Sequence, residues 1–158
     1  MNEELRNYLR IEIIVAAAFN FFISGMVTGL IYHKADHIPT DTASIAVDLF
    51  ITCLLTFTIT AFFCRRSLKA AKTADILPLA GMWTRRLSRL FRRPLLFGIL
   101  LGPAAAVILF ALIAPIFALL HINALPFYPY VLLKSLSVML LGGGVTLLSL
   151  YAGMCRPE

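Results

Sequence analysis

ASIAVDLFITCLLTFTITAFFCRR, residues 43–66, sets one long apolar run, broken by a single carboxylate at Asp48, against a pair of arginines. A helix crosses the roughly 30 Å hydrocarbon layer of a bilayer with about 20 residues, and this run is long enough. Three of its four threonines fall every fourth residue after Asp48, at Thr52, Thr56 and Thr60, so they share one helical face with the carboxylate. Three further stretches have the same length and character, at about 11–32, 95–119 and 129–154. Of the 158 residues, 60% are apolar and only 14% charged, whereas soluble domains average about half and a quarter. A soluble fold would lack the polar surface it needs. The expected fold is all-α: one polytopic membrane domain, residues 1–158, with four transmembrane helices as two hairpins.

Charge orients these spans. The segment between the second and third carries Arg65, Arg66, Lys69, Lys72, Arg85, Arg86, Arg89, Arg92 and Arg93, and the tails add Arg6, Arg10 and Arg156. The loop between spans one and two has only Lys34, and HINALPFYPY between spans three and four has no Lys or Arg. Lys and Arg in short loops mark the cytoplasmic face, so the N- and C-termini and the central segment are expected there. The N-terminal MNEELRNYLR is charged and precedes a run long enough to remain as a span, so no cleavable signal is expected. These features suit a multi-pass protein of a bacterial-type inner (plasma) membrane. Cys53, Cys64 and Cys155 form no C-x-x-C pair and lie in or beside apolar runs, where cysteine acts as a small hydrophobe.

The two halves share features. Each opens with a Gly-x-x-x-Gly span, Gly25 and Gly29 then Gly98 and Gly102, and each closes on Ala-x-x-Cys-Arg, AFFCRR at 61–66 and AGMCRP at 152–157. Both hairpins start inside, so a duplication would be parallel, about an axis along the membrane normal. FNFFISGMVTGL followed by FITCLLTFTITAFFCRRSLKA resembles the short two-span bacterial membrane proteins grouped as a domain of unknown function. The resemblance covers residues 19–70 and implies an architecture without a mechanism, here duplicated. The glutathione-transferase-like membrane enzymes and the small multidrug exporters fit worse, because their loop lengths and basic loops differ.

Inside the spans, Glu12, Ala16, Asn20, Ser24, Thr28 and Tyr32 make one row of fourfold spacing, and Ser135, Met139, Gly142, Thr146, Ser149 and Gly153 another. Such rows either line a wet path or let helices pack closely. Asp48 and Lys134 tip the balance, since an ionisable group within a span is costly and must avoid lipid. The two are expected to pair across the bundle. Glu12, near the inner interface, has Arg6 and Arg10 as neighbours to neutralise it. Pro103 and Pro115 in span three remove backbone donors and kink or break helices. Gly142, Gly143 and Gly144 permit close contact or bending.

Residues 76–93, ILPLAGMWTRRLSRLFRR, put Ile76, Leu79, Trp83, Leu87, Leu90 and Phe91 on one side and Arg85, Arg86, Arg89, Arg92 and Arg93 on another. A basic amphipathic helix with the Trp83 anchor is expected in the inner headgroup layer, meeting anionic lipids. Nucleic acid is not an expected partner. On the outer side, His33 and His37 in H-x-x-D-H would share a face if the first helix continued, with Asp36, Asp41 or His121 to complete a divalent-metal shell. The alternative is an interfacial elbow, with Pro39 breaking the chain and Asp41 or Thr42 capping span two.

Three functions stand open. The first is a small transporter or channel-like protein, proton- or cation-coupled, with Asp48, Lys134, Thr52, Thr56, Asn20, Ser24 and Thr28 along the path, formed in a homo-oligomer. The second is a non-catalytic assembly or lipid-interacting protein working through Trp83 and the arginines. The third is a metal-dependent membrane enzyme using the outer histidines. No other cofactor is expected.

Overall fold

The computed structural model describes residues 3–71 and 82–155. It consists of α1 (Glu3–Tyr32), β1 (His37–Pro39), α2 (Thr42–Ala70), α3 (Met82–Phe91), α4 (Pro94–Leu119), β2 (Ala124–Pro126) and α5 (Phe127–Met154). α1, α2, α4 and α5 are long and apolar enough to cross a membrane. Their side chains turn outward to an extent no aqueous surface tolerates: Phe22 is 71% exposed, Val107 68% and Leu140 72%. This is the exterior of a multi-pass membrane protein. α1 and α2 extend past the expected spans, so Arg65, Arg66 and Lys69 continue the α2 helix. α4 runs unbroken through Pro103 and Pro115.

The two hairpins interlock. α1 packs on α5, α4 packs on α2, and α2 packs on α5, whereas neither α1 with α2 nor α4 with α5 forms a packed pair. The spatial order is therefore α1, α5, α2, α4, and each hairpin's first helix rests on the other's second. Between the unpaired arms two grooves remain. Glycine makes one of these contacts possible: a Cβ on Gly102 would stand 2.8 Å from the Leu54 Cα on α2. Gly142 likewise leaves room for Asn20, whose Nδ2 would lie 2.5 Å from an added Cβ. Gly25 and Gly29 do not match Gly98 and Gly102 in place. The first pair sits near the loop end of α1, the second near the basic end of α4, and Gly29 meets nothing within 4 Å.

The buried core gathers at the basic end. Phe57, Ala61, Cys64 and Leu68 of α2 meet Phe97 of α4, Val145 and Leu150 of α5, and Phe91 of α3. Phe97 stacks against both Phe57 and Phe91, at ring-centroid distances of 6.0 and 5.8 Å. α3 therefore spends Leu87, Leu90 and Phe91 on the bundle rather than on lipid, and Ser88 Oγ donates to the Cys155 carbonyl at 3.2 Å. Arg86, Arg89, Arg92 and Arg93 are exposed. Residues 76–81 and the side chains of Trp83 and Arg85 lie outside the described residues.

At the opposite end the two loops clasp each other. β1 and β2 pair antiparallel, with Ile38 opposite Leu125 and His37 opposite Pro126. Thr40 adds a hydrogen bond from its Oγ1 to the Ile122 carbonyl at 2.9 Å and one from its amide to Asn123 at 3.0 Å. Ile38, 1% exposed, seals the clasp from below. Asp41 caps α2, accepting from the amides of Ala43 and Ser44 and from the Ser44 hydroxyl. The Ser44 hydroxyl is the largest cause holding the Asp41 carboxyl below its usual value.

Two outcomes follow. Gly102→Ala forces α4 off the α2 backbone and lowers stability by about 1–3 kcal/mol, the usual cost of overpacking, whereas Gly29→Ala is neutral. Unfolding in mixed micelles measures both, and equal effects contradict the packing described. Because the folded pKa of Asp41 is depressed, its capping is complete above the ordinary value of 3.8 and fades as pH falls through the lower, folded value. Asp41→Ala should therefore lower the melting temperature at neutral pH, and the gap from the parent should close in acid.

Candidate functional site

The site begins at the α2–α5 crossing, just below the clasp. Lys134 Nζ donates to Asp48 Oδ1, and the two side chains are 16% and 27% exposed. Each lies within a membrane-spanning helix, where an isolated charge is costly and a paired one far less so. Two tyrosines complete the group. The Tyr32 and Tyr130 rings meet edge to face at 5.7 Å, and Lys134 Nζ lies 6.0 Å from the Tyr130 ring centroid. α1, α2 and α5 thus each supply a polar group to one cluster.

The first groove lies between α1 and α2 over α5, with a volume of about 590 Å³. Asn20, Ser24, Thr28, Asp48, Thr52, Thr56 and Lys134, the residues expected along a path, all line it. They do not all offer their polar atoms to it. Asn20 Nδ2 turns back to the Ala16 carbonyl at 2.8 Å. Thr28 and Thr56 are 1% and 5% exposed, and the buried Ser24 hydroxyl has no protein partner. Toward the basic end Phe19 and Phe63 close edge to face at 6.2 Å. Below them Ser67 donates to Glu12 at 2.5 Å and pairs with the Tyr8 hydroxyl at 2.8 Å. Glu12 is thus tied to α2, and Arg6 instead faces Glu3 at 4.0 Å. The groove is open near Asp48 and shut near Glu12.

The second groove lies between α4 and α5 over α2, with a volume of about 300 Å³. Leu109, Ile113 and Phe117 of α4 form one wall. Ser44, Asp48, Thr52, Tyr32, Lys134 and Val138 belong to both grooves, so the ion pair stands on the ridge between them. Sequence reasoning missed this second groove and Tyr130, although it placed Tyr32 at the end of the polar row of α1. Tyr130 stands one turn before Lys134, and Ser44 one turn before Asp48, which is the available signal. The α4 wall has no such signal, because its helix is uniformly apolar.

The outer histidines do not join this cluster. α1 stops at Tyr32, so His33 and His37 share no helical face; His33 Nδ1 bonds the Leu30 carbonyl at 2.9 Å and His37 enters β1. His121 takes a left-handed turn at φ 53°. Asp36 uses its backbone carbonyl to accept from Phe127 at 3.2 Å. Among the described residues, no three His, Cys, Asp or Glu side chains converge as metal ligands. The loop geometry is that of an interfacial elbow.

No family model, curated protein or solved structure matches this chain. Function has to be argued from the site's own chemistry.

If the ion pair holds the crossing, Asp48→Asn and Lys134→Met each leave a charge without a partner. Either alone should lower stability by about 2–4 kcal/mol, and the double variant should lose less than their sum. Additive losses in a double-mutant cycle would show that the two groups act separately.

Proposed function

We propose that this chain is a small membrane transporter, coupled to protons or cations, in which Asp48 and Lys134 are the groups a transported species engages. One observation supports this above the others: two grooves from different flanks of the bundle meet on a single intramembrane ion pair. A pair kept only for structure is best walled in by apolar side chains, whereas this one borders open space on both sides. The α1/α2 groove supplies the path, with Thr52 and Thr56 below the pair. Phe19–Phe63 and the Glu12–Ser67–Tyr8 contacts form its closed end, which leaves the groove open toward the clasp. By the positive-inside rule the basic end is cytoplasmic and the clasp faces outward, in a bacterial-type inner membrane. A second copy of the chain would close the lipid side of the α1/α2 groove.

The interlocked packing also fits a duplicated hairpin. α1 on α5 and α4 on α2 exchange under a two-fold along the bundle, and the clasp centres on the same axis at Ile38 and Leu125. A second reading, a lipid-interacting protein, is favoured by the exposed Arg86, Arg89, Arg92 and Arg93 on a helix whose apolar side is already docked. Anionic lipids on the cytoplasmic side are their natural partners.

Flux separates the readings. In proteoliposomes carrying an internal pH dye, the parent protein should dissipate an imposed proton gradient under a potassium diffusion potential. Asp48→Asn/Lys134→Met, which removes both charges while keeping comparable volume, should fall to the protein-free rate with an unchanged gel-filtration profile. Unchanged flux in that folded variant rejects Asp48 and Lys134 as the working groups.

A further inference from the structure

We infer that the α4/α5 groove and the Asp48–Lys134 pair together bind one single-chain amphiphile whose head carries both a positive and a negative charge. The inference names a ligand class for the site proposed above, and it rests on that reading for the ligand's onward movement.

The groove has a polar-to-apolar order along the bundle. Nearest the clasp lie Thr40, Ser44 and Tyr130 opposite Phe117, then the ion pair with Thr52 and Ser137 about a turn below it, then Leu109, Leu140 and Leu141 deeper in the span. The Thr40 and Ser137 hydroxyls are spent on the Ile122 and Leu133 carbonyls, so the pair is the groove's main polar demand. A lipid-like molecule entering sideways from the clasp-side leaflet would arrive in this same order, head high and tail toward the bilayer centre. The α4 wall from Leu109 to Phe117 is about 12 Å long at the helical rise of about 1.5 Å per residue. At about 300 Å³ the groove is at the small end of ligand sites, with room for one chain rather than two.

Charge complementarity sets the head. Asp48 and Lys134 satisfy each other, so a ligand with one charge would take one partner and strand the other in a poorly hydrated place. A zwitterion gives its cation to Asp48 and its anion to Lys134, and each protein ion exchanges one partner for another.

The test uses the purified full chain in a neutral maltoside detergent, with three probes of equal chain length. These are a lysophosphatidylcholine, an alkyltrimethylammonium and an alkyl sulfate, with binding read by native mass spectrometry and by thermal shift. The lysophosphatidylcholine should bind at least about ten-fold more tightly than either singly charged probe. Leu140→Trp, at an exposed position that fills the groove without entering the core, should remove that preference while the ligand-free melting temperature stays unchanged. Ile108→Trp, on the lipid-facing side outside the groove, should retain it. Equal affinity for the three heads, retention by Leu140→Trp, or a concentration-dependent dimer whose formation Leu140→Trp abolishes would each overturn the assignment. Zwitterion binding without any flux leaves this inference standing and removes the transport reading; flux without a head-group preference does the reverse.

Discussion

A carboxylate and an ammonium placed inside a bilayer must find each other or find water, and this requirement organises the clasp-side half of the molecule. Asp48 on α2 and Lys134 on α5 belong to different hairpins, so pairing them brings the two central helices together where the buried core has thinned out. Near the basic end an aromatic and aliphatic core holds the other half, with the Glu12–Ser67–Tyr8 and Ser88–Cys155 hydrogen bonds beside it. The bundle therefore has two ends of different character: one packed on Phe57, Phe91 and Phe97, the other held by an ion pair, two tyrosines and a three-residue clasp. The two grooves that meet on the ion pair lie at the second end, and other hollows open at the basic end beside Arg65 and Lys69.

The clasp follows from the same constraint. Loops at the membrane surface have backbone groups to satisfy, and short local bonds such as Ala35 to Tyr32 and Ile122 to Phe117 take up only some of them. Pairing His37–Pro39 with Ala124–Pro126 lets each satisfy the other. It also anchors the starts of α2 and α5 just above Asp48 and Lys134, fixing the register at which the ions meet. A shift of one residue along either helix would rotate its charge by about 100° and out of reach.

Much of this was legible in the residues. Run length and charge mark all four membrane-spanning helices, and the depth of Asp48 and Lys134 in their spans points to the pair. Fourfold spacing put Asn20, Ser24 and Thr28 on one face of α1 and Thr52 and Thr56 on one face of α2, and those faces line one groove. Other features have no local signature. That α1 packs on α5 rather than on α2 depends on Gly142 receiving Asn20, a contact across more than a hundred residues. The spacing of Gly25 and Gly29 matched that of Gly98 and Gly102, yet only the second pair meets a neighbouring backbone, because spacing does not report depth. The pattern H-x-x-D-H allowed either a helical metal site or an interfacial elbow, and α1 ends before it while Ile38 is used for the clasp. Glu12 is tied to Ser67, a residue whose span assignment stopped short of it because α2 runs further than hydropathy alone implies.

The central claim is that one ion pair across α2 and α5 sets this half of the structure, and exchanging its charges tests it most directly. Asp48→Lys and Lys134→Asp should each weaken the fold in micelles when made alone. Combined in one chain they should restore most of the parent's unfolding midpoint, because the pair is re-formed in reverse. A combined variant as unstable as the two single changes added together would contradict the account.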